Sequence, residues 1–124
     1  MFLFFKQPLS KILFLVVIAS LCLSTQPLQA NTMSLTQTEI EQKIQDLPQW
    51  QQDEQTLVRT FKFKNFVEAV EFVDRLVEPA ETAGHHPDLA ISYNEVTVSL
   101  TTHDAGGLTQ KDFDLAKTIS QLSQ

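Results

Sequence analysis

Between Glu95 and Thr102 the chain alternates without a break: Val96, Val98 and Leu100 fall on one side of an extended backbone, Thr97, Ser99 and Thr101 on the other. Successive side chains of a strand point to opposite faces, so this run reads as a strand with one dry and one wet face. A second run, Thr56–Lys64 (TLVRTFKFK), sets Leu57, Phe61 and Phe63 against Thr60, Lys62 and Lys64 in the same period of two. Dry faces need a cover, and three stretches with helical spacing supply it. Thr36 followed by Glu39 is a capping-box signature, and Ile40, Ile44 and Leu47 then make a short amphipathic helix that Pro48 stops. Asn65 caps a longer helix whose stripe of Phe66, Ala69, Val70, Val73, Leu76, Val77 and Ala80 is predicted to face the core. Pro79 should bend or interrupt its last turn, and Gly84 is placed to end it in the left-handed conformation. Thr109 with Asp112 repeats the cap signature for a last helix using Phe113, Ala116, Ile119 and Leu122.

Trp50–Glu54 reads as a turn or short edge strand, Leu89–Tyr93 as a short strand, and Asn94-Glu95 as a tight turn into the Glu95–Thr102 strand. His103 continues that strand's polar face, and Asp104-Ala105-Gly106-Gly107 forms a loop. The predicted class is α+β, a two-layer sandwich of about four antiparallel strands with about three helices on one face.

Residues 1–30 read differently. Lys6 and Lys11 open the chain without an opposing acid, Ile12–Leu23 is apolar or small throughout, and Ser24–Ala30 is polar and ends on a small residue. That is the layout of a secretory signal peptide with cleavage after Ala30. The apolar run is shorter than the roughly 18 residues a spanning helix needs, so no permanent membrane anchor is expected. The competing reading starts the protein at Met33, where MSLTQTEIEQKIQDLPQW resembles a cytosolic beginning. The first places the protein outside the cytoplasm (periplasmic), the second within it. Either way the folded unit is 31–124.

From Asn31 onward the chain carries seven basic and fifteen acidic residues, a formal net charge of −8. An acidic surface of that kind disfavours nucleic acid and anionic membranes. The single cysteine, Cys22, lies in the leader, so the domain has no disulfide, thiol nucleophile or thiolate ligand.

Every histidine (His85, His86 and His103) lies in the second half of the domain, near Glu81, Pro87 and Asp112. Imidazole is the side chain best suited to exchange a proton near neutral pH. Glu81 precedes His85 by four residues, so a continuing helix would set both on one face, where the carboxylate orients the ring. Pro87 holds His86 extended. Plainer roles stand beside these: Asp112 as a helix cap, Tyr93 as a strand aromatic, Glu81 as a solvated charge. Three histidines and a glutamate also suffice for zinc in number. Adjacent His85 and His86 diverge in an extended chain, however, and no HExxH motif is present, so no metal site is expected.

Taken together, Glu81, His85-His86-Pro87, Tyr93, His103 and Asp112 resemble the signature of the pterin-4a-carbinolamine dehydratases. LPQW near the start, FKFKNFVEAVEFV, and YNEVTVSLTTHDAGGLTQKDFDLA are also similar to that family, over about Leu35 to Leu122. Leu89 departs from it, standing where many relatives carry an aromatic. The resemblance implies dehydration of a 4a-hydroxytetrahydropterin to the quinonoid dihydropterin, in recycling of tetrahydrobiopterin, without a cofactor. It implies His85 and His103 as acid and base, His86 with Pro87 and Tyr93 against the substrate, and Glu81 and Asp112 as supports of the imidazoles. It further implies a homodimer or homotetramer with a small-molecule pterin as partner. The alternative is a non-catalytic pterin-binding or protein-interaction module on the same fold.

Overall fold

The computed structural model describes residues 33–124, so the expected leader, residues 1–30, lies outside the described residues. In chain order the elements are α1 (Gln37–Lys43) with a 3-10 turn over Ile44–Asp46, β1 (Gln51–Asp53), β2 (Thr56–Lys62), α2 (Phe66–Arg75), α3 (Val77–Ala83), β3 (Asp88–Ser92), β4 (Glu95–Leu100), a 3-10 turn over His103–Ala105, and α4 (Gln110–Leu122). The strands form one antiparallel sheet in the order β1-β2-β4-β3. Counting α2 and α3 as one interrupted helix, this is the expected two-layer α+β sandwich.

Period two decides which face is covered. Leu57 and Phe61 of β2, with Val96, Val98 and Leu100 of β4, are all buried beneath the helices. Ile40 of α1, Phe72 of α2, and Phe113 and Ile119 of α4 close over them. Phe72 is the anchor: its ring centroid lies 4.8 Å from that of Phe61 and 4.9 Å from that of Phe63. Aromatic pairs at such spacing add about 0.5–1.5 kcal/mol beyond the area they bury. Two polar residues interrupt the dry register. Arg59, between Leu57 and Phe61, lays its guanidinium 4.0 Å from the Phe61 ring and donates to Ser120 Oγ at 3.0 Å. The other is Thr102, one step beyond Leu100.

The caps form as read. Asn65 Oδ1 accepts the Glu68 N–H, and Thr36 and Glu39 make the capping box. Three details differ from the sequence reading. The interruption expected from Pro79 falls at Leu76, ahead of the last turn, because Pro79 has no N–H for the Arg75 carbonyl and its ring crowds that position. Its buried face is Ala69, Phe72, Leu76 and Ala80, whereas Phe66, Val70 and Val77, expected in the core, are exposed. Once Phe72 points inward, neighbours at about 100° per residue rotate out.

The last hairpin is shifted by one residue. Ser92 pairs with Glu95, so the turn is Tyr93-Asn94 rather than Asn94-Glu95, and Tyr93 leaves the strand with φ at 53°. Asn94 fixes this turn to the end of β2, since its Nδ2 donates to Phe63 O at 2.6 Å and its own carbonyl accepts Phe63 N–H at 2.8 Å. On β3, Leu89 and Ile91 pair with Val98 and Val96, so they face the helix side of the sheet. They remain exposed, because among the described residues no helix packs closely over this edge strand. Among the described residues no helix is long and apolar enough to cross a membrane.

Candidate active site

Asp112 sits at the third position of α4 and is fully buried. A carboxylate there meets the positive end of the helix and its unsatisfied N–H groups. Its Oδ2 accepts the Thr109 N–H at 2.7 Å and the Thr102 hydroxyl at 2.8 Å. Its Oδ1 lies 2.7 Å from His85 Nε2. An ionised carboxylate has no hydrogen to donate and accepts on both oxygens. His85 Nε2 therefore carries the hydrogen and donates it, and Nδ1 is the ring atom left for other chemistry.

His85 reaches Asp112 because of how α3 ends. Gly84 adopts φ 55° and ψ 37°, and the N–H groups of Gly84 and His85 bond back to Glu81 O and Ala80 O, each at 3.1 Å. This is a Schellman ending, which reverses the chain within two residues. The condition for pairing Glu81 with His85, a helix continuing past Gly84, is therefore not met. The helix stops before His85, which turns inward. His86, five residues after Glu81, meets Glu81 Oε1 at 2.8 Å. That second pair lies in solvent, with the side chains 61% and 70% exposed, against 10% and 0% for His85 and Asp112. Pro87 is half-buried between the pair and β3.

The sheet register brings the other segment alongside. Asp88 pairs with Ser99, so the His-His-Pro end of β3 lies beside the end of β4 that runs into Thr102 and His103. His103 is exposed on the 3-10 turn rather than on a strand, and among the described residues it makes no hydrogen bond to His85 or His86. Its neighbour Thr102 ties the turn to the site. The Thr102 backbone pairs with Gly107, closing the loop that holds His103, while its hydroxyl holds Asp112. Tyr93 is at the far tip of the β3–β4 hairpin. It is 69% exposed and separated from His-His-Pro by the full length of β3, so one chain does not bring it to the histidines.

Thr102 and Thr109 are the site residues that the sequence reading passed over. Thr102 had a signal: it is a hydroxyl on the face already defined by Val96, Val98 and Leu100, and a buried polar group needs a partner. Among the described residues every buried side-chain nitrogen and oxygen has one. Among the same residues no three His, Cys, Asp or Glu side chains converge as a metal site would require.

In chemical class this is a small α+β domain that holds one imidazole rigidly by one nitrogen and leaves the other free for a proton or a ligand. The chain belongs to the pterin 4 alpha carbinolamine dehydratase family, whose model matches residues 33–122. Among its relatives, a Picosynechococcus protein named "Putative pterin-4-alpha-carbinolamine dehydratase" is 64% identical over 88 residues, covering 71% of this chain and 96% of that protein. One of the same name from Nostoc punctiforme is 59% identical over 91 residues, covering 73% and 98%. A crystal structure of a transcriptional coactivator/pterin dehydratase from Brucella melitensis superposes with a TM-score of 0.71 at 32% identity, over 73% of this chain and 99% of that one. A pterin dehydratase-like protein identified as a RuBisCO assembly factor in the alpha-carboxysome shares the fold alone, with a TM-score of 0.50 at 21% identity over 60% and 86% of the two chains.

Proposed function

We propose that this protein dehydrates a 4a-hydroxytetrahydropterin to the quinonoid dihydropterin and water, as a step in tetrahydrobiopterin recycling. The observation that carries the reading is the His85–Asp112 pair, which leaves one imidazole nitrogen free next in sequence to the exposed His86–Glu81 pair, within a family named for this reaction. The reaction is an elimination. The carbon–oxygen bond breaks, and the hydroxyl leaves as water with a proton from a general acid. A base takes the ring N–H proton, and the freed pair becomes the second bond of the new C=N. His85 and His103 take these two roles, one each. His86, held by Glu81, and Pro87 position the pterin, while Asp112 orients His85. Tyr93 contacts substrate only where a second chain brings its hairpin tip to the site. Positioned acid–base groups of this kind contribute about 10²–10⁴-fold to a rate.

A homodimer or homotetramer belongs to the same proposal. Exposed Leu89 and Ile91 on an edge strand, with Phe66, Val70 and Val77 exposed on the helices, favour association. The same exposed surface supports the second reading, a non-catalytic pterin-binding or protein-interaction module. A protein sharing this fold is identified as a RuBisCO assembly factor in the alpha-carboxysome, which supports keeping the interaction reading. Export, with cleavage after Ala30, is proposed from the leader, and N-terminal sequencing of the mature protein tests it against a start at Met33.

Stopped-flow absorbance with chemically generated 4a-hydroxytetrahydropterin decides between enzyme and module. Acceleration over the uncatalysed rate that is lost in both His85→Ala and His103→Ala supports dehydration. A folded protein with no acceleration overturns it in favour of the module.

A further inference from the structure

The dry face of β4 ends on a hydroxyl. Val96, Val98 and Leu100 are fully buried, and the next position on that face is Thr102. Its distances order the protons around Asp112. Thr102 Oγ1 is 2.8 Å from Asp112 Oδ2 and 2.8 Å from Thr109 Oγ1, whereas Thr109 Oγ1 is 3.3 Å from Asp112 Oδ2. The shorter contacts make one chain, in which the Thr109 hydroxyl donates to Thr102 and the Thr102 hydroxyl donates to Asp112. Hydrogen bonds in series polarise one another, so the carboxylate receives a stronger donor than a lone hydroxyl would be.

From this arrangement we infer that Thr102 is the positioning residue of the site, fixing the tautomer of His85 through Asp112 and coupling that pair to the turn that carries His103. Without Thr102, Oδ2 of the carboxylate keeps only donors from Thr109, its N–H at 2.7 Å and its hydroxyl at a long 3.3 Å, both on its own helix end. The Thr102 hydroxyl is the second fixed point, and it leaves Oδ1 presented to His85. The Thr102 backbone also closes the His103 loop, with its N–H donating to Gly107 O at 3.2 Å and its carbonyl accepting Gly107 N–H at 3.4 Å. One residue thus joins the two segments to which acid and base are assigned. The kinetic part of this inference rests on the dehydratase reading, while the spectroscopic part does not.

The test uses the full chain, labelled with 15N, as wild type, Thr102→Val and Thr102→Ser. Imidazole 15N spectra of wild type should show His85 as the single Nε2–H tautomer. Thr102→Val should give a mixture of tautomers and a kcat about 10- to 100-fold lower with KM little changed, the range lost when the hydrogen-bonded supports of metal-bound imidazoles are removed. Thr102→Ser, which keeps the hydroxyl, should restore both. Should Thr102→Val unfold, Thr102→Cys carries the same comparison, because a thiol is a weak donor and predicts the same mixture. A valine or cysteine variant that keeps the single tautomer and the wild-type kcat overturns the assignment, and so does loss of the tautomer in Thr102→Ser. If wild type fails to accelerate dehydration, the dehydratase reading falls, and the spectra still decide the role of Thr102.

Discussion

His85 and His86 are neighbours in sequence, and each holds a carboxylate at nearly the same distance, 2.7 Å and 2.8 Å. Their surroundings differ completely. The Asp112 partner is fully buried and takes donors on both oxygens, while Glu81 is 70% exposed. Equal hydrogen-bond lengths therefore stand for unequal constraints. In solvent, such a pair loses side-chain entropy on forming and is screened, so it is worth about 0–1 kcal/mol. In the interior, removing one partner strands the other without water, at about 3–5 kcal/mol. The buried pair holds one ring in one tautomer, and the exposed pair leaves its ring free to adjust to whatever binds.

Asp112 is where this contrast breaks most visibly. Asp112→Ala should lower stability by about 1–3 kcal/mol for each donor left buried without an acceptor, as Thr102, the Thr109 N–H and His85 all lose theirs, and chemical denaturation reads it. Asp112→Asn is the sharper variant. With its carbonyl retained by the Thr109 N–H, its NH₂ faces His85 Nε2 and forces that nitrogen to accept. The hydrogen moves to Nδ1, and dehydration should fall by about 10²–10⁴-fold while the fold survives. A His85 tautomer unchanged in Asp112→Asn would contradict the assignment of donors.

Next in size are the histidines themselves. His85→Ala should abolish acceleration, and His86→Ala should act mainly on KM, because the proposal gives His86 substrate positioning and leaves proton transfer to His85 and His103. Equal losses of kcat in the two variants would show that burial does not separate their roles. Gly84→Ala comes third. Nothing lies within 4 Å of the added Cβ, so its cost is conformational alone, at φ 55°. That strain is about 1–2 kcal/mol, and thermal melting should show it. If the chain relaxes by extending α3, Glu81 comes level with His85 and the two pairs exchange partners, which the His85 spectrum would register.

Much of this architecture was legible because two kinds of signal are local. The alternation of β4 and the caps at Thr36 and Asn65 depend on nearest neighbours, and they form as read. What failed depended on tertiary packing. The apolar run from Phe66 to Val77 offers several stripes of similar width, and only the aromatic contacts of Phe72 choose among them. The site divides the same way. The histidines and acids stood out by type and spacing, but which acid serves which histidine turned on Gly84. The sequence marked that residue as a helix stop without revealing which way the next two side chains would point. From the sequence alone Asp112 is a support or a cap. The structure makes it both at once, because one oxygen caps α4 and the other holds His85.

The smallest effect belongs to Glu81, and it tests the comparison from its weaker side. Glu81→Gln keeps the size of the side chain and a hydrogen bond to His86 Nε2 but removes the charge. Since both partners are largely in solvent, stability should change by less than about 0.5 kcal/mol. Any effect should appear in KM and should fade as salt approaches about 1 M, where the screening length falls to about 3 Å. The same series on the buried pair should be nearly flat in salt, because counterions do not reach Asp112. A salt-dependent defect in Asp112→Asn, or a salt-independent one in Glu81→Gln, would mean that exposure in the isolated chain is not exposure in the working protein, with the His86–Glu81 pair covered by substrate or by a second copy.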